Sequence, residues 1–232
     1  MHCNICGGTV FEDMPKRPLA RCTTCRSLER TRVAALKITQ LVRPRPGAHV
    51  LHFAPEQGLS RLLRDIAGDN YRAVDIDPPR YAHLGIAVEP FDLCRDVFTL
   101  PRGRYDLIVL NHVLEHIECN YSVVLIRLAQ ALSDEGAMLF SVPIVGDDFT
   151  DAIVDASDEE KAARFGAFRH YRHFGRKFIA ETLGMIFDMP SDYDLTRDFP
   201  PEVLREANIP EHHWRDFTGS SIFVVRRRDL RV

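Results

Sequence analysis

Apolar residues along the chain fall into short unbroken runs separated by amphipathic stretches. Residues 105–110 (YDLIVL) and 137–142 (AMLFSV) are the clearest runs; 49–53, 71–76, 86–88, 186–189 and 222–226 are shorter ones. Runs of this length bounded by turn residues predict strands, and unbroken ones predict strands buried on both faces of a parallel sheet. Between them, 59–66, 121–132 and 174–183 predict helices. The second of these places Val124, Leu125, Leu128 and Leu132 on one face, and the Asp134-Glu-Gly136 turn ends it. Strand–helix alternation at this spacing predicts an α/β fold, an open parallel sheet with helices on both faces. Ligands of such sheets bind at the carboxyl ends of the strands, near the point where strand order reverses.

The first 47 residues follow another pattern. Residues 27–42 predict a helix, with Ser27 as cap, Glu29 at its positive end and Leu28, Ala35 and Val42 at heptad spacing. Pro44 and Pro46 stop it, and 43–47 predicts a linker. Ahead of it, 9–11 and 19–21 predict a small hairpin. The expected division is a ribbon at 1–26, a connecting helix and linker at 27–47, and the α/β body at 48–232.

Four cysteines explain how so short a ribbon folds. Cys3 and Cys6 form one C-x2-C pair, Cys22 and Cys25 a second. Each pair turns two thiolates toward one ion, and two pairs complete the tetrahedral S4 set that structural zinc favours. About 25 residues cannot bury a stable core, so metal binding supplies the missing free energy. A closed S4 set leaves no open position for catalysis. Cys94 and Cys119 stand alone and read as small buried apolar residues.

Composition narrows the class of protein. With 232 residues, 45% hydrophobic and 27% charged, the chain is globular, with room for one full domain and an appendage. Neither a membrane-length apolar run nor a secretory leader pattern is evident, so a soluble cytoplasmic protein is expected. The net charge of −3 is unevenly spread. Residues 1–45 hold nine Lys and Arg against three Asp and Glu, and the rest holds 21 against 30. A basic head on an acidic body offers footing for an anionic partner, so nucleic acid is a possible partner but not the favoured one.

Candidate chemistry lies where the strands end. After the first body strand comes His52-Phe-Ala-Pro-Glu-Gln-Gly-Leu-Ser60, where a nucleotide-binding fold usually has a glycine-rich turn; Gly58 alone remains, with Ala54 and Glu56 at the other places. Asp75 ends the second strand, placed to accept hydrogen bonds from a ribose diol, or else a plain acidic loop residue. Asp92 follows the third strand, either an adenine partner or a turn or cap residue. After the fourth strand, Asn111 and His112 reach the sheet edge. His112 and His116 are four apart, which on a helix would put both on one face, but a bare histidine pair is not a ligand set.

Together, VLHFAPEQGLS, the acid in YRAVDID, FDL, and YDLIVLNHVLEHI followed by a helix and LSDEGAMLFSVP resemble the class I S-adenosylmethionine-dependent methyltransferases over residues 48–190. A narrower subgroup with a zinc-ribbon start, Ser-Leu-Glu-Arg-x-Arg (here Ser27 to Arg32) and His-Phe-Ala-Pro-Glu in place of the glycine turn is more similar still. Its block Phe-Gly-x-x-x-His-x-Arg-x-x-Gly corresponds to 165–175, with Arg169 where an acid is usual. The resemblance implies a Rossmann-like seven-stranded sheet whose last two strands form an antiparallel hairpin. It also implies the cofactor's methionine end over Ala54, Glu56 and Gly58, its ribose at Asp75 (or Asp77), its adenine at Asp92 and Leu93, and Asn111 and His112 beside the sulfonium.

Methyl transfer needs alignment, exclusion of water and, for a protonated nucleophile, a base. The long segment after the fifth strand reads as a lid. In it His170 is the candidate base or substrate partner, and Arg172 the candidate anchor for a carboxylate or phosphate; the alternative is that both pin the lid to the acidic run 155–160, itself a solvated helix face. Residues 191–218 are expected to cover the pocket or serve a dimer, with Trp214 packed. A small-molecule or sugar-containing acceptor is the leading expectation. An RNA acceptor, a non-catalytic binding module and a nicotinamide-dependent oxidoreductase are the rivals.

Overall fold

The computed structural model describes residues 1–151, 157–165 and 170–232. Arg169 and Asp155 lie outside them. A hairpin of β1 (Phe11–Met14) and β2 (Arg17–Cys22) leads into α1 (Glu29–Leu36). Then come β3 (Val50–Phe53), α2 (Gln57–Ala67), β4 (Tyr71–Asp75), β5 (Val88–Pro90), α3 (Leu93–Asp96), β6 (Tyr105–Asn111), α4 (Tyr121–Ala131) and β7 (Leu132–Ser141). A two-residue ladder of β8 (Thr150–Asp151) with β9 (Arg172–His173) flanks α5 (Asp158–Phe165), and α6 (Pro201–Glu206) and β10 (Phe223–Arg226) complete the chain.

The main sheet runs β5-β4-β3-β6-β7-β10, parallel throughout except for β10. Leu107, Ile108, Val109 and Leu110 of β6 are fully buried, as the unbroken apolar run requires of a central strand covered on both faces. The chain winds outward one way through β3, β4 and β5 and the other way through β6 and β7. Their carboxyl ends therefore part between β3 and β6, and a crevice opens there. Gly136 lets β7 start close to β6: a Cβ on it would lie 2.6 Å from the Tyr105 carbonyl oxygen. No helix among the described residues is long and apolar enough to cross a membrane.

Four expectations are corrected. Six strands, not seven, form this sheet among the described residues; 186–189 contributes one antiparallel bridge, Phe187 with Leu230, beyond the end of β10. The helix over 174–183 is replaced by a short 3-10 turn, Arg176–Phe178, and further turns: the amides of Phe178, Thr182 and Gly184 bond carbonyls three, four and five residues back instead of keeping one ladder. Ser27 does not cap α1. Its hydroxyl lies 3.2 Å from the sulfurs of Cys3 and Cys25, and Thr31 Oγ1 takes the Leu28 amide instead. Cys94 and Cys119 are joined as a disulfide rather than standing apart. Residues 191–218 pack against the ribbon: Asn208 donates to the Leu19 carbonyl and the His2 amide to the Glu206 carbonyl. Trp214 is buried, its indole N–H on the Ile209 carbonyl.

Arg32 is the joint. Its guanidinium is completely buried and donates to the carbonyls of Ala20 and Ser27 in the ribbon and of Asn208 in the C-terminal segment. A cation with no exposed surface needs such acceptors; these three serve the two terminal nitrogens, while Nε has no hydrogen-bond partner among the described residues.

Candidate functional site

A cleft of ≈ 1290 Å³ opens over the carboxyl ends of β3, β4 and β6. Ala54, Glu56, Asp75, Asp92, Leu93, Asn111 and His112 line it, together with Asp77, Tyr81, His116 and Tyr171; Gly58, His170 and Arg172 do not.

The turn after β3 keeps a glycine's conformation without the glycine. Ala54 sits at φ +48°, in the left-handed region, and its amide bonds the Val74 carbonyl of β4. His112, at the end of β6, is at φ +53°. Non-glycine residues held in this region at two strand ends facing one cleft are the strained positions that functional sites tolerate.

Glu56 reaches across the crevice mouth. One carboxylate oxygen accepts from Thr31 Oγ1 (2.9 Å) with Arg30 at 3.5 Å, and the other accepts from Asn111 Nδ2 (2.9 Å). Asn111 is fixed in turn by the Ser141 hydroxyl. Hence α1 supplies part of the wall. Gly58 faces away from the cleft: a Cβ there would meet Cys25 Sγ at 3.3 Å and the Cys25 carbonyl at 3.4 Å, so its smallness seats the ribbon on α2.

At the tip of β4, Asp75 accepts from the Tyr81 hydroxyl (2.9 Å) on one oxygen and from the Asp77 amide (2.8 Å) on the other. A carboxylate has about four acceptor sites, so each oxygen retains one. Burial, and then the adjacent Asp75, push the Tyr81 hydroxyl's pKa up, which keeps it a donor. Nothing in the sequence marked Tyr81, which reaches Asp75 through a turn. Asp92 caps α3, accepting from the Cys94 amide, with Arg95 at 3.5 Å; the cap reading of Asp92 is therefore present in the fold. The Cys94–Cys119 disulfide borders the same wall and ties α3 to the segment after β6.

That segment forms a single tight turn, Leu114–His116, so His112 and His116 do not share a helix face. His112 places Nε2 2.9 Å from the Gly219 carbonyl and Nδ1 3.1 Å from Glu115 Oε1. The first contact uses a ring N–H; the second is an ion contact outside hydrogen-bonding alignment. Glu115 is completely buried. Burial pushes its carboxyl up, but the contact with His112 and nearby His116 outweigh this and hold it below the ordinary carboxylate value. The His116 and His170 rings meet edge to face at 4.7 Å, and His170 Nδ1 lies 3.2 Å from His173 Nε2. Burial pushes His170 down to about 4, so the ring is neutral near pH 7.

Arg172 has another task than the one anticipated. Fully buried, it donates to the carbonyls of Leu114, Ile117 and Cys119 and to Asp151, so its fork is committed inside the protein and presents no donor to the cleft. It pins β9 to the turn that carries Glu115 and His116.

Far from this turn in sequence, the four ribbon thiols converge. Cys3 and Cys25 sulfurs are 3.5 Å apart, those of Cys6 and Cys22 3.6 Å, and all four lie within 4.8 Å of one another. A tetrahedral ion with bonds of about 2.3 Å separates its sulfurs by about 3.8 Å, so the donor set fits.

Comparison with known proteins adds the following. A protein-family model described as "Methyltransferase domain" matches residues 27–188. Among solved structures, an S-adenosylmethionine dependent methyltransferase from Mesorhizobium loti is similar at 16% identity, over 83% of this chain and 94% of that one, with a TM-score of 0.51. A 1,6-didemethyltoxoflavin-N1-methyltransferase from Burkholderia thailandensis matches at 22% identity over 67% of this chain and 65% of that one (TM-score 0.42). Coclaurine N-methyltransferase matches at 14% over 67% and 49% (TM-score 0.47). No curated protein matches the chain in sequence. The first likeness is one of fold.

Proposed function

The chain belongs to the methyltransferase-domain family, and from that premise we propose that it transfers a methyl group from S-adenosylmethionine to an oxygen or nitrogen nucleophile of a small-molecule or sugar-containing acceptor. The observation that carries this reading is the cleft over β3, β4 and β6, with Asp75 at its wall and two acceptor positions left on that carboxylate.

When bound, S-adenosylmethionine supplies a methyl group already activated by its sulfonium. The chain's own residues then have three tasks. Asp75, braced by Tyr81, accepts the ribose hydroxyls, while Asp92 and Leu93 receive the adenine. The Ala54 turn, Glu56, Asn111 and His112 receive the amino-acid end and the sulfonium; the carboxylate of Glu56 suits cationic groups there. The His116 and Tyr171 rim holds the acceptor and keeps water out.

For the ribbon we assign structural zinc to Cys3, Cys6, Cys22 and Cys25. The local core consists of Cys3, Phe11, Cys22 and Cys25 with Ile5 and Cys6 packed against them, too little apolar surface to fold without the ion. Cys22→Ser releases the zinc in this reading, and an unchanged metal content would contradict it. The charge pattern disfavours RNA as acceptor. Seven of the nine basic residues in 1–45 have partners inside the protein: Arg17 on Glu29, Arg21 and Arg26 on Glu12, Arg30 on Glu56, Lys37 on Asp198, and Arg32 and Arg43 on carbonyls. Little of that charge is left for phosphates.

The test is formation of S-adenosylhomocysteine by the full chain with panels of hydroxyl and amine metabolites, sugars and RNA. The expected result is product with one class of small acceptors and none with RNA. Product with RNA alone would replace the acceptor class, and binding without any turnover would leave a cofactor-binding module.

A further inference from the structure

We propose that Glu115, His116 and His170 bind a divalent transition-metal ion at the rim of the cleft, with coordination positions left open for an oxygen ligand. The ligand atoms of the three side chains all lie within 4.8 Å of one another. Around an ion with bonds of about 2.1 Å, neighbouring ligand atoms are roughly 3 Å apart and opposite ones about 4.2 Å, so modest side-chain rotation closes the set.

Glu115 supplies the independent reason. The side chain is wholly buried, and neither carboxylate oxygen accepts a hydrogen bond among the described residues. His112 Nδ1 stands 3.1 Å from Oε1, outside hydrogen-bonding alignment. The neighbouring buried cation, Arg172, directs its donors to the carbonyls of Leu114, Ile117 and Cys119 and to Asp151 instead. The buried carboxylate thus stays ionised beside His112 and His116 with its acceptor positions unused, and a bound cation would take them.

The surroundings are those of a built site. Tyr171 N–H donates to the Glu115 carbonyl (2.7 Å), and Arg172 fastens the 114–119 turn to β9, so the two halves that contribute ligands are locked together. His173 contacts the ring of His170, an outer partner of the kind that orients a ligating imidazole. Two nitrogens and one carboxylate suit zinc, manganese, iron, cobalt or nickel better than calcium or magnesium. Three protein ligands are the number that leaves room for an exogenous one.

His116 is on the cleft wall, so the open positions face the space assigned to the acceptor. The ligand class is an oxygen donor, a hydroxyl, a diol or a carboxylate. That last step rests on the methyl-transfer reading; the ion site itself does not. A metal-bound imidazole cannot take a proton, so His170 becomes a ligand instead of the general base anticipated from sequence.

The experiment is titration of the purified full chain, its ribbon metal in place, with Co²⁺ alone, followed by visible absorption and calorimetry. The expected result is one additional equivalent per chain with d–d bands and no thiolate charge transfer. His116→Ala and His170→Ala weaken it by more than about 100-fold, beyond the loss that outer partners give. Because His116 is exposed, its variant keeps the fold, checked by an unchanged thermal melt. No additional cobalt, cobalt held by thiolates only, or parental affinity in either histidine variant would overturn the site. None of these readouts depends on methyl transfer.

Discussion

Replacing Arg172 by methionine keeps the length of the side chain and removes its fork of donors. The carbonyls of Leu114, Ile117 and Cys119 and the carboxylate of Asp151 then lose their partner at once. Each hydrogen bond from a charged group contributes about 1.5–3 kcal/mol by itself, but the terms do not add. Asp151 is partly exposed and recovers water; the Leu114 and Ile117 carbonyls, bonded in the interior, do not. The expected loss is about 3–5 kcal/mol, the cost of breaking up a buried charged cluster. For a chain of this size that lowers the melting temperature by roughly 6–20 °C. Urea unfolding followed by circular dichroism measures the loss, and Arg172→Lys should fall between the two, since an ammonium replaces some of the bonds but not the fork. If Arg172→Met unfolds within about 1 kcal/mol of the parent and loses only turnover, the guanidinium serves the substrate and the structural reasoning is wrong.

Three further outcomes are expected. Asp75→Asn should weaken S-adenosylmethionine binding by about 1–3 kcal/mol, or about 5–150-fold, and Tyr81→Phe by less, because Tyr81 only braces; equal affinities by calorimetry would remove Asp75 from the ribose site. His52 is buried against the Tyr71 hydroxyl, and burial pushes it down to about 4. Between that value and the ordinary 6.5 the unfolded chain takes up a proton that the folded chain does not, so stability present above pH 6.5 is lost as pH falls toward 4. The loss from His52 reaches about 2 kcal/mol at pH 5, and His52→Gln should show a correspondingly flatter pH dependence in urea titrations. The disulfide closes a loop with a sequence separation of 25, worth about 3 kcal/mol. The double Cys94→Ser, Cys119→Ser variant should be less stable than the parent without reductant and equal to it with reductant.

What could be read from sequence followed from local pattern. The run 105–110 announces a doubly covered strand because every residue in it must be buried for the sheet to exist, and β6 occupies that place. Two C-x2-C pairs carry their geometry in their spacing, and the thiols do converge. Asp75 stands at a strand tip because the strand itself was legible.

What escaped depends on contacts between distant segments. Arg172 meets carbonyls 53 to 58 residues away, and a carbonyl acceptor leaves no trace in side-chain identity. The partnership of Cys94 with Cys119 depends on α3 and the turn after β6 arriving together. At 112–116 His112 adopts a left-handed backbone, so the chain turns tightly and brings Glu115 beside His112 and close to His116 and His170, a grouping that residue spacing does not reveal. Gly58 was read as the remnant of a ligand turn, whereas the space it leaves is taken by Cys25.

Calorimetric titration of the full chain with S-adenosylmethionine, with a nicotinamide dinucleotide in a parallel cell, tests the central claim most directly. One binding site per chain for the sulfonium compound, competed by S-adenosylhomocysteine and absent for the dinucleotide, is the predicted result. A flat titration at saturating S-adenosylmethionine, or heat from the dinucleotide alone, would contradict it.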